Sequence, residues 1–215
     1  MRKYNTSIFI LRLALFIGGL FIVANGIVST IQAGLGVNPW DVLHIGLSMQ
    51  TGLSIGRIIQ IVGLTLVGFS CFMKVKPSIG TILNMIFLGL FVDLVIALNY
   101  IPSPGQSWQK VMLFISGVAI FGFGCSIYIS ANIGTGPRDS LMLALKRITP
   151  YRLGAVRTIM EVSAASSGFL LGGPLGLGTV IFALTVGYFI EMGFTLIKMI
   201  KETIFFKTFL AEQLR

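Results

Sequence analysis

The chain has 215 residues, of which 55% are apolar and 11% are charged, and its mean hydropathy is +0.92. A soluble domain carries about 25% charged residues, so this composition excludes a soluble globular protein. The formal net charge is +9. The basic residues flank the apolar stretches, as membrane topology requires, so we expect no nucleic-acid partner.

Six apolar stretches predict membrane-spanning helices, because each approaches the roughly 17–25 residues that a spanning helix needs. Backbone amides in hydrocarbon must be paired within their own segment, which favours helices. The first stretch is longer than the core of a secretory signal. The stretches are 8–31, 55–73, 79–98, 111–131, 155–172 and 178–197. The predicted fold class is therefore an all-α integral membrane protein with six transmembrane helices.

A Gly/Pro loop and a short helix follow the first span, and the same pattern recurs later in the chain. The loops are 34–41 and 132–139. Proline suits the first turn of a helix, and an aspartate two residues later meets the positive helix end. The short helices, near 40–50 and 138–148, cannot cross about 30 Å of hydrocarbon. We expect re-entrant or interfacial half-helices.

The recurrence extends over most of the chain. A shift of 98 residues aligns 15–93 with 113–191 without a gap. The matches fall on residue types that fix backbone shape and polar chemistry, which indicates a duplication. They include Gly19/Gly117, Gly36/Gly134, Pro39/Pro137, Asp41/Asp139, Gly56/Gly154, Gly80/Gly178 and Gly89/Gly187, and Asp93 aligns with Glu191. The expected organisation is a first membrane repeat (1–100), a second membrane repeat (101–198) and a cytoplasmic amphipathic tail (199–215).

The distribution of basic residues favours an inverted arrangement. If the short helices do not cross, each repeat has three spans and the second repeat is upside down. Fourteen of the 16 Lys and Arg residues then lie on the inner side, leaving only Arg57 and Lys110 outside. If the short helices cross, Lys146 and Arg147 enter the bilayer at about 2.5–3.5 kcal/mol each. We therefore expect two inverted three-helix repeats with both termini cytoplasmic.

The two loops are the candidate substrate site. In transporters built from inverted repeats, broken helices meet near the bilayer midplane, where their N-termini offer free amides to an anion. Arg138 would supply charge for an anionic group. The predicted substrate-binding residues are Asn38, Asp41, His44, Asn132, Thr135, Arg138 and Asp139. The alternative interpretation is that both loops are capped turns at the membrane surface.

Two aligned carboxylates are candidates for ion coupling. Asp93 and Glu191 each follow a glycine, Gly89 or Gly187, by one helical turn. An intramembrane carboxylate needs a partner or a wet cavity. The functional interpretation is a coupling site for protons or Na⁺. The structural alternative is a side chain that reaches headgroup water from the end of its helix.

Catalytic chemistry is not expected. The sequence has no HExxH motif, no Gly-x-Ser-x-Gly elbow and no Walker loop, so we predict no enzymatic activity, cofactor or metal. Cys71 and Cys125 lie in predicted spans and are expected to be buried apolar residues. Arg157 and Glu161, four residues apart on one helix, are expected to neutralise each other.

The chain resembles the YczE/YyaS/YitT-type bacterial membrane proteins over roughly 8–200, and the YczE-like branch best. The resemblance rests on the first-helix glycines, the two loops, and the later Gly-Thr helices that carry Asp93 and Glu191. It implies a bacterial plasma-membrane protein of a kind commonly labelled a transporter, without an agreed substrate. Members of the branch linked to secondary-metabolite production imply an accessory role as an alternative.

Together these patterns predict a secondary transporter of a small polar or anionic solute across the bacterial plasma membrane. The alternatives are a non-transporting accessory or scaffold for a membrane-associated biosynthetic or secretion complex, and a channel. The expected partners are membrane lipids and the solute, and either a second copy of the chain or a membrane-associated enzyme. The tail, with apolar and basic residues interleaved, is expected to lie on the anionic inner leaflet.

Overall fold

The computed structural model describes the backbone of residues 6–213 and the side chains of residues 8–202. This part of the chain folds entirely into α-helices and connecting loops, which confirms the all-α fold class. The eight helices are α1 (Thr6–Ala33), α2 (Pro39–Thr51), α3 (Ile55–Phe72), α4 (Ile79–Leu98), α5 (Ser107–Ser130), α6 (Pro137–Ile148), α7 (Leu153–Leu170) and α8 (Leu177–Gln213).

Five helices within residues 6–213 are long and apolar enough to cross a membrane, namely α1, α3, α4, α5 and α8. They coincide with five of the six predicted spans. The sixth predicted span coincides with α7, which has the same 18-residue length as α3. Arg157, Glu161 and several serines make α7 less apolar than the other five. The chain is a multi-helix membrane protein.

The two short helices lie where the Gly/Pro loops predicted them. Helix α2 has 13 residues and α6 has 12, so they are only about 20 Å and 18 Å long. Asn38 caps α2, and its side chain accepts a hydrogen bond from the Trp40 amide. Gly136 occupies the equivalent position before α6. Neither helix is long enough to span about 30 Å of hydrocarbon.

Helices α1 and α5, the first helix of each repeat, form the central pair of the fold. Glycines let their backbones approach closely: a Cβ on Gly19 would lie 2.6 Å from the Tyr128 amide nitrogen, and one on Gly124 would lie 2.7 Å from that of Val23. Residues later in α1 contact residues earlier in α5: Gly19 contacts Tyr128, whereas Gly26 contacts Phe121. The two aligned helices therefore run antiparallel.

The remaining helices follow the same pairing in both repeats. Helix α4 packs on α1, and α8 packs on α5. Each short helix packs on the third helix of the other repeat, α2 on α7 and α6 on α3. At one of these contacts a Cβ on Gly46 would lie 2.6 Å from the Gly168 carbonyl oxygen. The halves are thus interlocked and form one bundle.

The loops before the short helices also make matching contacts. The first loop meets the start of α8, where the Val37 amide donates a hydrogen bond to Thr179 Oγ1 at 3.2 Å. The second loop meets the start of α4, where a Cβ on Gly80 would lie 2.6 Å from the Gly134 amide nitrogen. Each loop is therefore held by the fourth helix of the opposite repeat.

One aligned pair of helices departs from this pattern. Helices α3 and α4 pack closely along what we call the α3–α4 seam. There Gly56 and Gly89 face each other, with no room for a Cβ on either. Asp93 of α4 closes the end of the seam, because it accepts hydrogen bonds from Ser54 Oγ at 2.6 Å and from the Gly56 amide at 2.7 Å.

The corresponding α7–α8 seam is open. Helices α7 and α8 are not packed against each other. A Cβ on Gly154 or Gly187 would have no packing neighbour within 4 Å. Glu191, which aligns with Asp93, is exposed. Two equivalent seams of the same bundle are thus in different states.

Two further expectations concern single residues and the tail. Cys125 is buried as expected, but Cys71 is exposed, so the prediction for Cys71 was wrong. It lies near the end of α3 on the outward face, which periodicity alone did not distinguish. Helix α8 continues without a break across the expected repeat–tail boundary at 198–199. The tail's side chains from 203 onward, on which the amphipathic prediction rests, lie outside the described residues.

Candidate functional site

A cavity of about 190 Å³ lies between the two repeats. Aliphatic and aromatic side chains of α1, α5 and α8 form an apolar wall of the cavity. Polar and charged side chains gather where the short helices begin. The hydrogen-bonding and charged lining residues include Asn38, Asn84, Arg138, Asp139, Arg157 and Glu161. The cavity therefore offers one polar end and one apolar wall.

The two Gly/Pro loops meet at the polar end of this cavity. Arg138, at the start of α6, places its guanidinium carbon 4.9 Å from the centroid of the Trp40 ring, at the start of α2. Its Nη2 atom lies 4.0 Å from Asp41 Oδ1. Pro39 and Pro137 begin the two helices and also line the cavity. Each half of the chain thus contributes the N-terminus of a short helix to one site.

Behind this contact lies a buried pair on α2. Asp41 has no exposed side-chain surface and His44 has 2%. His44 Nδ1 lies 3.0 Å from Asp41 Oδ1. The other carboxylate oxygen, Oδ2, is buried without a hydrogen-bond partner among the described residues. His44 also borders a smaller cavity against α3 and α4.

The structure separates the seven predicted substrate residues into three groups. Asn38, Arg138 and Asp139 line the cavity. Asp41 and His44 lie directly behind it. Asn132 and Thr135 do not line it, because both are exposed on the loop before α6. Asn132 has a positive φ of 54° and ends the turn after α5, which is a conformational role.

Asn38 and Asp139 each use one side-chain oxygen to cap the start of a short helix. Asn38 Oδ1 accepts from the Trp40 amide at 3.3 Å, and Asp139 Oδ2 accepts from the Gly136 amide at 3.2 Å. These bonds hold the first turns of α2 and α6 in place. Arg138 has no such bond at the start of its own helix; it lies within ion-pair range of Asp41, and 30% of its side chain is exposed.

Several cavity residues were not predicted from the sequence. Trp40 supplies the ring beneath Arg138, and Asn84 and Tyr128 reach the cavity from α4 and α5. Asn84, an amide in the middle of an apolar span, was the strongest available signal. Arg157 and Glu161 form the expected ion pair, at 3.0 Å, and this pair also borders the cavity.

The predicted ion-coupling residues lie away from the cavity. Asp93 accepts hydrogen bonds from Ser54 and Gly56 at the start of α3 and does not line the cavity, so its role in ion coupling stays a prediction. Glu191 lies on the open α7–α8 seam and does not line the cavity. Within the described residues, no three His, Cys, Asp or Glu side chains are grouped to hold a metal ion.

Most of the chain matches one known protein family. Residues 10–194 match DUF6198, a family of unknown function. The chain belongs to this family. The match covers all eight helices apart from the two ends of the chain, so the cavity and both seams fall within it.

Three relatives are similar over most of their length. The chain is 37% identical over 181 residues to the uncharacterised membrane protein YczE of Bacillus subtilis, covering 83% of both chains. It is 33% identical over 189 residues to an uncharacterised protein of Haemophilus influenzae, covering 88% of this chain and 83% of the other. It is 28% identical over 171 residues to YyaS of Bacillus subtilis, covering 76% and 82%. The predicted YczE/YyaS-type resemblance is confirmed. No solved structure matches the chain.

Proposed function

We propose that the protein is a secondary transporter that carries a small polar or anionic solute across the bacterial plasma membrane. The observation that carries the proposal is the position of Arg138. Its guanidinium carbon lies 4.9 Å from the centroid of the Trp40 ring, which belongs to the other repeat, and the side chain lines the cavity and is 30% exposed. A guanidinium that is partly open to a cavity can donate its N–H groups to a carboxylate or phosphate.

The size of the cavity favours a small solute. Its volume of about 190 Å³ is below the roughly 300–1,000 Å³ of sites for drug-sized ligands. The apolar wall would face the uncharged part of the solute, and the start of α6 would face its negative group. A half-helix N-terminus adds partial positive charge to that of Arg138.

The arrangement of the repeats supports alternating access. We propose that the two repeats are inverted in the membrane, with α2 and α6 as broken helices that do not cross it. The antiparallel α1–α5 contact supports this inversion. Given the excess of basic residues expected on the inner side, the open α7–α8 seam would face the cytoplasm, with both termini.

Inverted repeats also indicate the second state. The repeats would exchange conformations, so the α3–α4 seam would open as the α7–α8 seam closes. Glu191 would then approach the start of α7 near Gly154, as Asp93 approaches the start of α3 near Gly56 in this structure. The carboxylates paired by the repeat would act in turn as closing residues.

The test is a ligand screen followed by flux. Purified protein would be screened for metabolite-dependent thermal stabilisation, with carboxylates, phosphates and uncharged analogues of matched size. Uptake of each stabilising solute would then be measured in proteoliposomes. We expect saturable uptake that is lost in Arg138→Ala. Arg138→Lys retains the charge but not the planar guanidinium with its paired N–H donors, so uptake should be weakened, with affinity reduced about tenfold or more.

Other outcomes would favour the rival functions. Solute-independent, non-saturating current would favour a channel. If no solute stabilises the protein while a membrane-associated enzyme co-purifies with it and Arg138→Ala leaves that association unchanged, the accessory function would replace transport.

A further inference from the structure

The buried carboxylate of Asp41 is only partly hydrogen-bonded. Its side chain is fully buried, and Oδ2 has no hydrogen-bond partner among the described residues. An ionised carboxylate normally has its lone pairs satisfied when it leaves water, because the desolvation cost is otherwise uncompensated. Protonation of Oδ2 removes most of that cost.

The charged groups around Asp41 compensate it only partly. On its own helix, His44 Nδ1 lies 3.0 Å from Oδ1, and from α6 the Arg138 Nη2 atom lies 4.0 Å from the same oxygen. The Arg138 distance is within ion-pair range but too long for a hydrogen bond. Asp139, also on α6, accepts a hydrogen bond from its own helix start.

The other helices packed on α2 leave Asp41 no closer partner. Helix α3 carries Arg57 and Cys71 as its titratable side chains, and both are exposed. Helix α7 contributes Arg157 and Glu161, which are paired with each other at 3.0 Å. Arg138 is therefore the cation on which both Asp41 and a cavity anion depend.

We propose that Asp41 is the proton-binding site of the transporter and that Arg138 alternates between Asp41 and the solute. This inference rests on the proposed transport function. When Asp41 is ionised, Arg138 serves as its counter-ion. When a proton binds to Oδ2, the negative charge of Asp41 is removed, and Arg138 is released to bind the anionic group of a solute in the cavity.

The coupling has a defined direction. A proton on Asp41 raises the affinity for the anion, and by linkage the anion raises the affinity of Asp41 for its proton by the same factor. One proton therefore accompanies each negative charge, which predicts symport. The aligned Asp139 cannot play the same part, because its carboxylate lines the cavity and accepts from Gly136. The repeat has thus kept two aspartates with different roles.

Trp40 provides a reporter for the test. Trp40 and Trp108 are the two tryptophans of the chain, so Trp108→Phe leaves the indole beneath Arg138 as the single fluorophore. This protein would be titrated in detergent between about pH 4 and 9, without anion and then with acetate, lactate, phosphate and sulfate as probe anions. The same titrations would be made with Asp41→Asn, Asp41→Glu and His44→Gln.

The proposal expects a fluorescence transition that is absent in Asp41→Asn, restored in Asp41→Glu and retained in His44→Gln. At least one probe anion should move its midpoint upward; a coupling of about 5- to 150-fold corresponds to roughly 0.7 to 2 pH units. The Asp41→Glu result shows that loss in Asp41→Asn is not a folding defect.

Three results would overturn the proposal, and they separate it from the transport function. A transition that persists in Asp41→Asn but disappears in His44→Gln assigns the proton to the histidine. A saturable change in Trp40 fluorescence on adding an anion, with an unmoved midpoint, refutes the coupling but leaves anion binding to the cavity intact. If no anion changes the Trp40 fluorescence at any pH, the proposal of an anionic solute is wrong, and the coupling is wrong with it.

Discussion

The two seams of the bundle can be tested by adding the same side chain to each. Gly89 lies in the closed α3–α4 seam, where a Cβ would meet Gln60 Cγ at 2.7 Å and the Gly56 carbonyl. Gly187 is its aligned partner in the open α7–α8 seam, with no packing neighbour within 4 Å. Leucine at Gly89 therefore destabilises the conformation seen in this structure. Leucine at Gly187 destabilises only the proposed second conformation, in which the α7–α8 seam is closed.

The size of the effect follows from packing. Side chains inserted into a close-packed contact cost about 1–3 kcal/mol, which is roughly a 5- to 150-fold change in the ratio of two conformations at 1.4 kcal/mol per tenfold. The missing room at Gly89 involves the backbone of α3, which cannot move aside without opening the seam. We expect Gly89→Leu to lie near the upper end of this range.

Accessibility of the cavity is the readout. Met160 on α7 lines the cavity, so Met160→Cys would be introduced after Cys71→Ser and Cys125→Ser. A membrane-impermeant thiol reagent would then be applied to right-side-out and to inside-out vesicles. The parent should react from the cytoplasmic side. Gly89→Leu should lose that reaction about 5- to 150-fold and gain reaction from outside, whereas Gly187→Leu should retain or increase it.

Both variants should lose transport, because each removes one of the two states that a transport cycle needs. Identical labelling patterns in Gly89→Leu and Gly187→Leu, in protein that is folded and inserted, would refute the idea that the seams exchange. Labelling of Met160→Cys from the outside alone in the parent would reverse the assigned orientation.

Three further outcomes are expected. Asp93→Asn should lower the free energy of unfolding by about 1–3 kcal/mol, because it weakens two hydrogen bonds to a carboxylate, whereas Glu191→Gln should leave the melting temperature unchanged. Cysteines at Val75 and Ile148 should both be labelled from the cytoplasmic face, and labelling from opposite faces would contradict inverted repeats. Gly124→Val should destabilise the α1–α5 pair by about 1–3 kcal/mol, measured by thermal unfolding, and full stability would show that this contact is not close-packed.

Much of the fold could be read from the chain. The apolar stretches were long enough to predict the spanning helices, and the start of each short helix followed from Pro39 and Pro137. The Arg157–Glu161 ion pair also followed, because it is a local interaction that depends on a spacing of four residues.

The composition of the site was harder to predict. The loops were identified, but Asn132 and Thr135 point away from the cavity, whereas Trp40 and Tyr128 line it. Which side of a loop faces inward is decided by the helix that packs on it. Here the starts of α4 and α8 hold the loops in place.

The chain by itself indicated membrane residence and the starts of the short helices, because hydropathy and proline act within one segment. Only the tertiary structure decided that Arg138 reaches Trp40 and Asp41, and that one seam is closed while its aligned partner is open. Those features depend on packing between residues about 100 positions apart. The sequence places matching glycines on both seams, at Gly56 and Gly154 and at Gly89 and Gly187, and the packing of the bundle determines which seam is closed.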